Sequence, residues 1–124
     1  SMRFLHRVRW LFKKPRTLEE IFQKYNIQTS EAPSDCPDGW INHVDECFGR
    51  LCNLGWDRKL FQVKEKFGCL RIYLDGDDFD QVMQDIIHRY EDSSKQKCGV
   101  CGAYAKKDGI NVARCDQHRS VQVW

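Results

Sequence analysis

Cys98-Gly99-Val100-Cys101, followed after thirteen residues by Cys115-Asp116-Gln117-His118, is the stretch around which the chain is organised. A Cys-x-x-Cys knuckle and a Cys-x-x-His knuckle together supply the four ligands of a tetrahedral zinc site. Gly99 and Gly102 suit such a knuckle, because the turn brings backbone amides towards sulfur and glycine permits positive φ. A disulfide or a redox Cys-x-x-Cys pair is the alternative. Four protein ligands leave no open position for water or substrate. The spacing therefore predicts a structural Zn2+ held by Cys98, Cys101, Cys115 and His118.

Working outward, residues 103–105 and 110–113 are expected to pair as a short hairpin across Lys107-Asp108-Gly109, giving residues 95–124 a zinc-ribbon-like character. In the tail, Val121 and Val123 alternate with Gln122, and Trp124 is expected to cover apolar surface. Upstream, residues 60–66 and 69–74 read as two strands joined at Phe67-Gly68, with Val63, Glu65 and Phe67 on one face of the first and Leu70, Ile72 and Leu74 on one face of the second. Glu65 would need Arg71, a lysine or helix amides to offset its desolvation, and a partly buried ion pair fixing the hairpin register is expected. Asp75-Gly76-Asp77-Asp78 is an acidic turn with Asp77 or Asp78 as N-cap of a helix to about residue 92, and Asp80 in its first turn. The helix stripe is Phe79, Val82, Met83, Ile86, Ile87 and Tyr90. The acidic turn lacks the glutamate that completes an EF-hand loop.

A further helix over residues 39–54 carries Trp40, Ile41, Val44, Cys47, Phe48, Leu51 and Cys52 on one broad face, with Gly55 as its stop. His43 within it has no second ligand-type residue at helical spacing and reads as a surface or interface histidine. Residues 26–37, with Pro33, Ser34, Asp35 and Pro37, read as a loop. Thr17 and Glu20 form a capping box opening a short helix to about residue 25. Residues 3–14 place Phe4, Leu5, Val8, Leu11 and Phe12 at helical spacing among basic residues, and Pro15 ends that helix. Its apolar stripe is expected to dock on the domain.

The 124 residues suit one domain with a modest core that benefits from a metal staple. The reading is α+β: a basic amphipathic helix (1–16), a helix, hairpin and helix core (17–94) and the zinc module (95–124). Seven cysteines are an odd number, and three belong to the metal site. Cys36, Cys47, Cys52 and Cys69 then read as reduced, mostly buried side chains of a cytoplasmic protein. No apolar run is long enough to span a bilayer. Six of the twenty Lys and Arg residues fall in the first sixteen positions without an acid, leaving fourteen against eighteen acids in the remainder. The arm is basic and the body mildly acidic.

Asp38-Gly39-Trp40, the run from Gln62 through Lys64-Glu65-Lys66-Phe67-Gly68 to Tyr73, Ser94 and the two knuckles resemble a family of small uncharacterised proteins of bacteria and prophages. The resemblance spans about residues 38–118. It implies a bacterial or phage origin and a metal-stapled α+β domain, and it carries no reaction over.

No hydrolytic triad, phosphate loop or open metal site is legible, so a non-enzymatic binding module is expected. Asp35, Asp38, Asp45, Glu46, Asp75, Asp77, Asp78 and Asp80 form acidic clusters suited to a protein partner with a basic surface. In its most concrete form this is an immunity protein neutralising a toxin, or a phage inhibitor of a host protein. Trp40, Trp56 and Tyr73 are its candidate anchors if exposed. The alternative is a zinc-dependent nucleic-acid-binding protein using Lys106, Lys107, Arg114 and Arg119.

Overall fold

The structure is a computed structural model that describes residues 14–76 and 80–121. The expected first helix, Phe79, Trp124 and the acids Asp77 and Asp78 lie outside the described residues. Thr17 Oγ1 accepts from the Glu20 amide at 3.1 Å and opens α1, Leu18–Lys24. The Glu20 carboxylate reaches back to the Arg16 amide at 2.9 Å, one residue before the position a capping box uses. The following segment is not all loop. Gln28–Thr29 forms β1, parallel to the start of β2, and was missed because two exposed polar residues carry no apolar alternation.

A 3-10 turn, Asp38–Trp40, leads into α2, Ile41–Asn53, which buries Ile41, Val44, Cys47, Phe48 and Leu51. The chain leaves it through Gly55 at φ 85°. The hairpin follows, β2 over Lys59–Lys66 and β3 over Cys69–Leu74, joined by Phe67 and Gly68 at φ 54° and 81°. Two consecutive positive φ angles define the turn whose twist matches antiparallel strands. The register breaks between Leu60 and Gln62, opposite Leu74 and Tyr73. This bulge lets Leu60 and Val63, three apart, both reach the core, and sends Phe61 and Gln62 to the other face. A strict period of two does not anticipate it.

Helix α3, Gln81–Ser93, is capped by Asp80, whose carboxylate accepts from the Met83 amide at 3.1 Å. The N-cap is thus Asp80 rather than Asp77 or Asp78, and the helix starts one residue past it. Its buried side is Met83, Ile86, Ile87, Tyr90 and Glu91, while Val82, expected in the stripe, is exposed. With the helix starting at Gln81, Met83, Ile86, Ile87 and Tyr90 complete the inward arc, and Val82 falls outside it.

The sheet order β1-β2-β3 leaves β3 at an edge. Its outward amides are satisfied by side chains of the helix packed over it. Leu70 N–H donates to Ser94 Oγ and Ile72 N–H to Glu91 Oε2, both at 2.9 Å. Glu91 and Ser94 are buried. Glu65 makes no ion pair among the described residues; its Oε1 accepts from the Gly68 amide at 2.7 Å and closes the hairpin turn. The expected register-fixing pair is therefore replaced by a turn cap within the hairpin and by Glu91 across it. One core cluster joins Trp40, Phe48, Leu60, Ile72 and Ile87 with Val112 from the C-terminal part. Of the four cysteines outside the knuckles, Cys36, Cys47 and Cys69 are buried and Cys52 half-buried, all as free thiols.

Removing the Ser94 hydroxyl orphans a buried amide of β3. Ser94→Ala is expected to lower the unfolding free energy by about 1–3 kcal/mol in urea titration. Lys59→Ala, at an exposed position of β2, is expected to change it by less than about 0.5 kcal/mol.

Candidate metal centre

Knuckle geometry begins in the backbone. Cys98 N–H donates to Ala103 O at 2.7 Å, and Gly102 N–H to Cys98 O at 2.8 Å, folding the first knuckle back on itself. Gly102 takes φ 81°, the conformation that favours glycine there. The Val100 amide lies 3.4 Å from Cys98 Sγ. The second knuckle is a 3-10 turn, Asp116–His118, preceded by Cys115, with His118 N–H on Cys115 O at 2.9 Å. Gly99 N–H to Ala113 O, 2.9 Å, ties one knuckle to the approach of the other.

The result brings all four expected ligands together. Cys98 Sγ, Cys101 Sγ, Cys115 Sγ and His118 Nδ1 lie within 4.8 Å of one another. Cys101 and Cys115 sulfurs are 3.8 Å apart, and His118 Nδ1 is 3.8 Å from Cys98 Sγ and 3.2 Å from Cys115 Sγ. With metal–sulfur bonds of about 2.3 Å and metal–nitrogen bonds of about 2.0 Å, tetrahedral edges are about 3.8 Å between sulfurs and about 3.5 Å from sulfur to nitrogen. The donor atoms therefore fit one four-coordinate metal ion. No disulfide joins the cysteines.

The electrostatics of the metal-free cluster are divided. Burial acts to raise the Cys98 thiol pKa, but hydrogen bonds with the backbone of Cys115, Cys101 and Val100, and with His118, outweigh it and bring it down to about 6. Cys115 is pushed up, first by burial and then by the neighbouring sulfurs of Cys98 and Cys101, against the Gln117 backbone. The cluster favours one thiolate and resists a second, which is the conflict a bound cation removes. By contrast, Cys36 and Cys47 are pushed up to about 12, chiefly by burial, and are inert thiols.

The expected hairpin between residues 103–105 and 110–113 does not form a ladder. The bridge in this region joins Lys97 to Tyr104, and the Lys107-Asp108-Gly109 stretch bends back on itself through Asn111 N–H to Asp108 O, 3.0 Å. Residues 103–105 are engaged by the strand that enters the first knuckle, which leaves them no edge for 110–113.

This centre is seated on the core through glycine. Gly39 N–H donates to Gly99 O at 2.9 Å, and Trp40 Nε1 to Lys97 O at 3.0 Å. A Cβ on Gly39 would overlap the Cys98 carbonyl oxygen and the Gly102 amide nitrogen. At the hairpin tip, a Cβ on Gly68 would overlap the Asn111 carbonyl and the Lys107 side chain. The first knuckle and the 107–111 loop therefore each meet the rest of the protein at a glycine.

Several residues of the expected acidic surface also make local contacts. Asp45 pairs with Lys24 at 3.0 Å and is mostly buried. Asp35 Oδ1 accepts from the Cys36 amide and Asp75 Oδ1 from the Gly76 amide, and Asp80 caps α3. Asp35, Asp38, Glu46, Asp75 and Asp80 are all exposed. Of the candidate anchors, Trp40 and Trp56 are core residues, and Tyr73 is exposed. His43 is half-buried, its Nε2 2.8 Å from Tyr90 O and 2.9 Å from Ser93 Oγ, and its pKa is lowered mainly by burial. Beside the metal ligands, Tyr104, Lys106, Arg114 and Arg119 line an open groove of about 840 Å³. Arg119 is paired with Asp116, and Arg114 donates to Val121 O at 3.0 Å.

No family model, no curated protein and no solved structure matches the chain.

Gly39→Ala is expected to lower stability by about 1–3 kcal/mol or more, because the overlapped atoms are backbone and cannot rotate away. It is also expected to weaken metal retention against a competing chelator. Gly49→Ala, whose Cβ would meet the Tyr25 hydroxyl at 3.0 Å, serves as the comparison and is expected to leave metal retention unchanged.

Proposed function

We propose that the protein is a zinc-stapled binding domain whose partner is nucleic acid, and that it acts by binding rather than catalysis. Three thiolates and one imidazole in a tetrahedral arrangement suit Zn2+. With all four positions filled by protein, that ion has no place for substrate. Its role is to hold the 95–124 segment, which lacks a ladder of its own, against Gly39, Trp40 and the hairpin tip.

What carries the nucleic-acid reading is the seating of the hairpin tip on the 107–111 loop. It brings the tip of the hairpin, whose strands carry Lys64, Lys66 and Arg71, against the loop that follows Lys106 and carries Lys107. None of these cations is in an ion pair among the described residues. The basic residues were separated in sequence, and only the tertiary contact gathers them. A protein partner with a basic surface, such as a toxin, is the second reading, and it would rest on the exposed acids Asp35, Asp38, Glu46, Asp75 and Asp80. Within the metal module, a zinc ribbon is the arrangement that the knuckle turns and the Lys97 to Tyr104 bridge most resemble.

Two measurements test this reading. Purified protein is expected to carry one equivalent of zinc by elemental analysis, and its removal is expected to unfold the C-terminal segment. Apparent binding energies of about 10–16 kcal/mol for small structural zinc sites set the scale. Fluorescence anisotropy with mixed-sequence DNA and RNA is expected to show affinity falling steeply between 50 and 200 mM salt, on the order of tenfold or more when a few phosphates are neutralised. Lys106→Gln with Lys107→Gln is expected to weaken it. Absence of binding to any nucleic acid at 50 mM salt would sink the proposal and favour the protein partner.

A further inference from the structure

We infer that the solvent face of the β2–β3 hairpin is a stacking platform for single-stranded DNA. The inference rests on the nucleic-acid reading above and assigns it a surface and a strand form.

The bulge between Leu60 and Gln62 creates the platform. Because Leu60 and Val63 are both fully buried, Phe61 and Gln62 are turned together to the outer face, opposite Tyr73. Phe61 is 45% and Tyr73 40% exposed, and Phe67 at the turn is 60% exposed. Side chains at alternate strand positions carry the charge: Lys64 and Lys66 on β2, Arg71 on β3. Cys69, on the same side near the tip, is buried, so the open area runs from the Lys64 and Arg71 row to Phe61 and Tyr73. The exposed acids Glu31 and Asp35 border the β2 edge of this face, on the 30–35 segment that bonds to Leu60, Phe61, Gln62 and Val63. Glu65 faces the other way and holds the Gly68 amide, and Asp57 and Asp75 lie at the base.

Two features point to a ligand rather than a solvated face. Lys64 and Arg71 are direct cross-strand partners. Like charges placed opposite one another destabilise a sheet, and among the described residues no carboxylate pairs with either. A polyanion laid across them relieves that repulsion. Next to them stand the exposed rings of Phe61 and Tyr73. Lys66 Nζ lies 5.7 Å from the Phe67 ring centre, so charge and ring are adjacent at the tip as well. Phosphates meeting cations while unpaired bases stack on rings is the mode by which single strands bind without sequence preference. A duplex hides its base faces and cannot use the rings. The strand positions of this face carry rings, cations, the Gln62 amide and the Tyr73 hydroxyl but no carboxylate to accept from a ribose 2′-hydroxyl, a contact that DNA does not need.

The test uses the full-length, zinc-loaded protein and fluorescein-labelled dT12 at 50 mM salt, read by anisotropy. Comparison ligands are the matching duplex, the RNA U12 and polyglutamate. Single-stranded DNA is expected to bind at least tenfold more tightly than the duplex, RNA no more tightly than DNA, and polyglutamate weakly. Phe61→Leu and Tyr73→Leu, which keep apolar bulk and remove the ring, are each expected to weaken dT12 binding between about 5- and 150-fold, the loss of one stacked base. Lys64→Gln and Arg71→Gln are each expected to reduce the slope of log affinity against log salt by about 0.7. The same two changes are expected to leave thermal stability equal or raised, because the cross-strand repulsion is gone, and a fall would count against the charge argument. If duplex binds as well as the single strand, or if only the Lys106 and Lys107 changes matter, the platform is wrong while the nucleic-acid reading stands. RNA binding tenfold tighter than DNA, or polyglutamate matching dT12, also overturns it. If no nucleic acid binds at all, both fall together.

Discussion

The tightest constraint in this fold is the contact between the Gly39 backbone and the first metal knuckle. A hydrogen bond from Gly39 N–H to Gly99 O, and the absence of a side chain at Gly39, let the two backbones touch. Trp40, fully buried one residue on, sends its indole N–H to the Lys97 carbonyl just before the knuckle. Asp38, Gly39 and Trp40 thus act as one device: a 3-10 turn that starts α2, a gap that admits the knuckle, and an anchor that belongs to the core and the metal module at once. The four converging ligand side chains and the knuckle hydrogen bonds set the internal shape of the module, and this turn fixes where the module sits. Neither alone would position the 107–111 loop against the hairpin tip.

That placement explains why β3 needs a helix and not another strand. An edge strand exposes alternate amides and invites pairing with another chain. Here Glu91 and Ser94, three residues apart at the end of α3, take the Leu70 and Ile72 amides. Covering the edge by side chains leaves the hairpin two-sided, with one face under α3 and the other towards solvent. A fourth strand would have widened the sheet and changed that outer face. The buried carboxylate of Glu91 is tolerable because a backbone donor meets it within the low-dielectric interior.

Much of this could be read from residues alone where a single local rule governs. The ligand set followed from spacing, since metal geometry admits few alternatives. The hairpin boundaries and the helix over Ile41–Asn53 followed from periodicity, and Gly55 and Gly68 marked their turns. What periodicity could not supply was anything depending on a second segment. The Phe61 bulge is invisible because an extra residue in a strand looks like ordinary sequence. From the sequence, Asp77 or Asp78 is the expected cap, with Asp80 inside the first turn, and only the start of the backbone helix makes Asp80 the cap. Glu65 stood out as the hairpin's acid, yet the one that reaches across to β3 is Glu91, nineteen positions from Ile72. A Glu-x-x-Ser pair closing a helix after an edge strand is the signal that was there to find.

The same distinction governs the charge. Counting acids and bases makes the body acidic, and that sum suggested an acidic surface. Charge acts locally, however, within about 10 Å at moderate salt. Asp45, Asp92 and Asp116 stand against Lys24, Lys95 and Arg119, while Glu91 is buried and Glu65 is held in its turn. Cations on the hairpin have no such partners among the described residues. Other exposed acids, Asp35, Asp38, Glu46, Asp75 and Asp80 among them, form no ion pair among the described residues either, so the local charge differs from one face to the next. The net charge of the chain therefore says little about which ligand this surface would select, and the pairing of each carboxylate says a great deal.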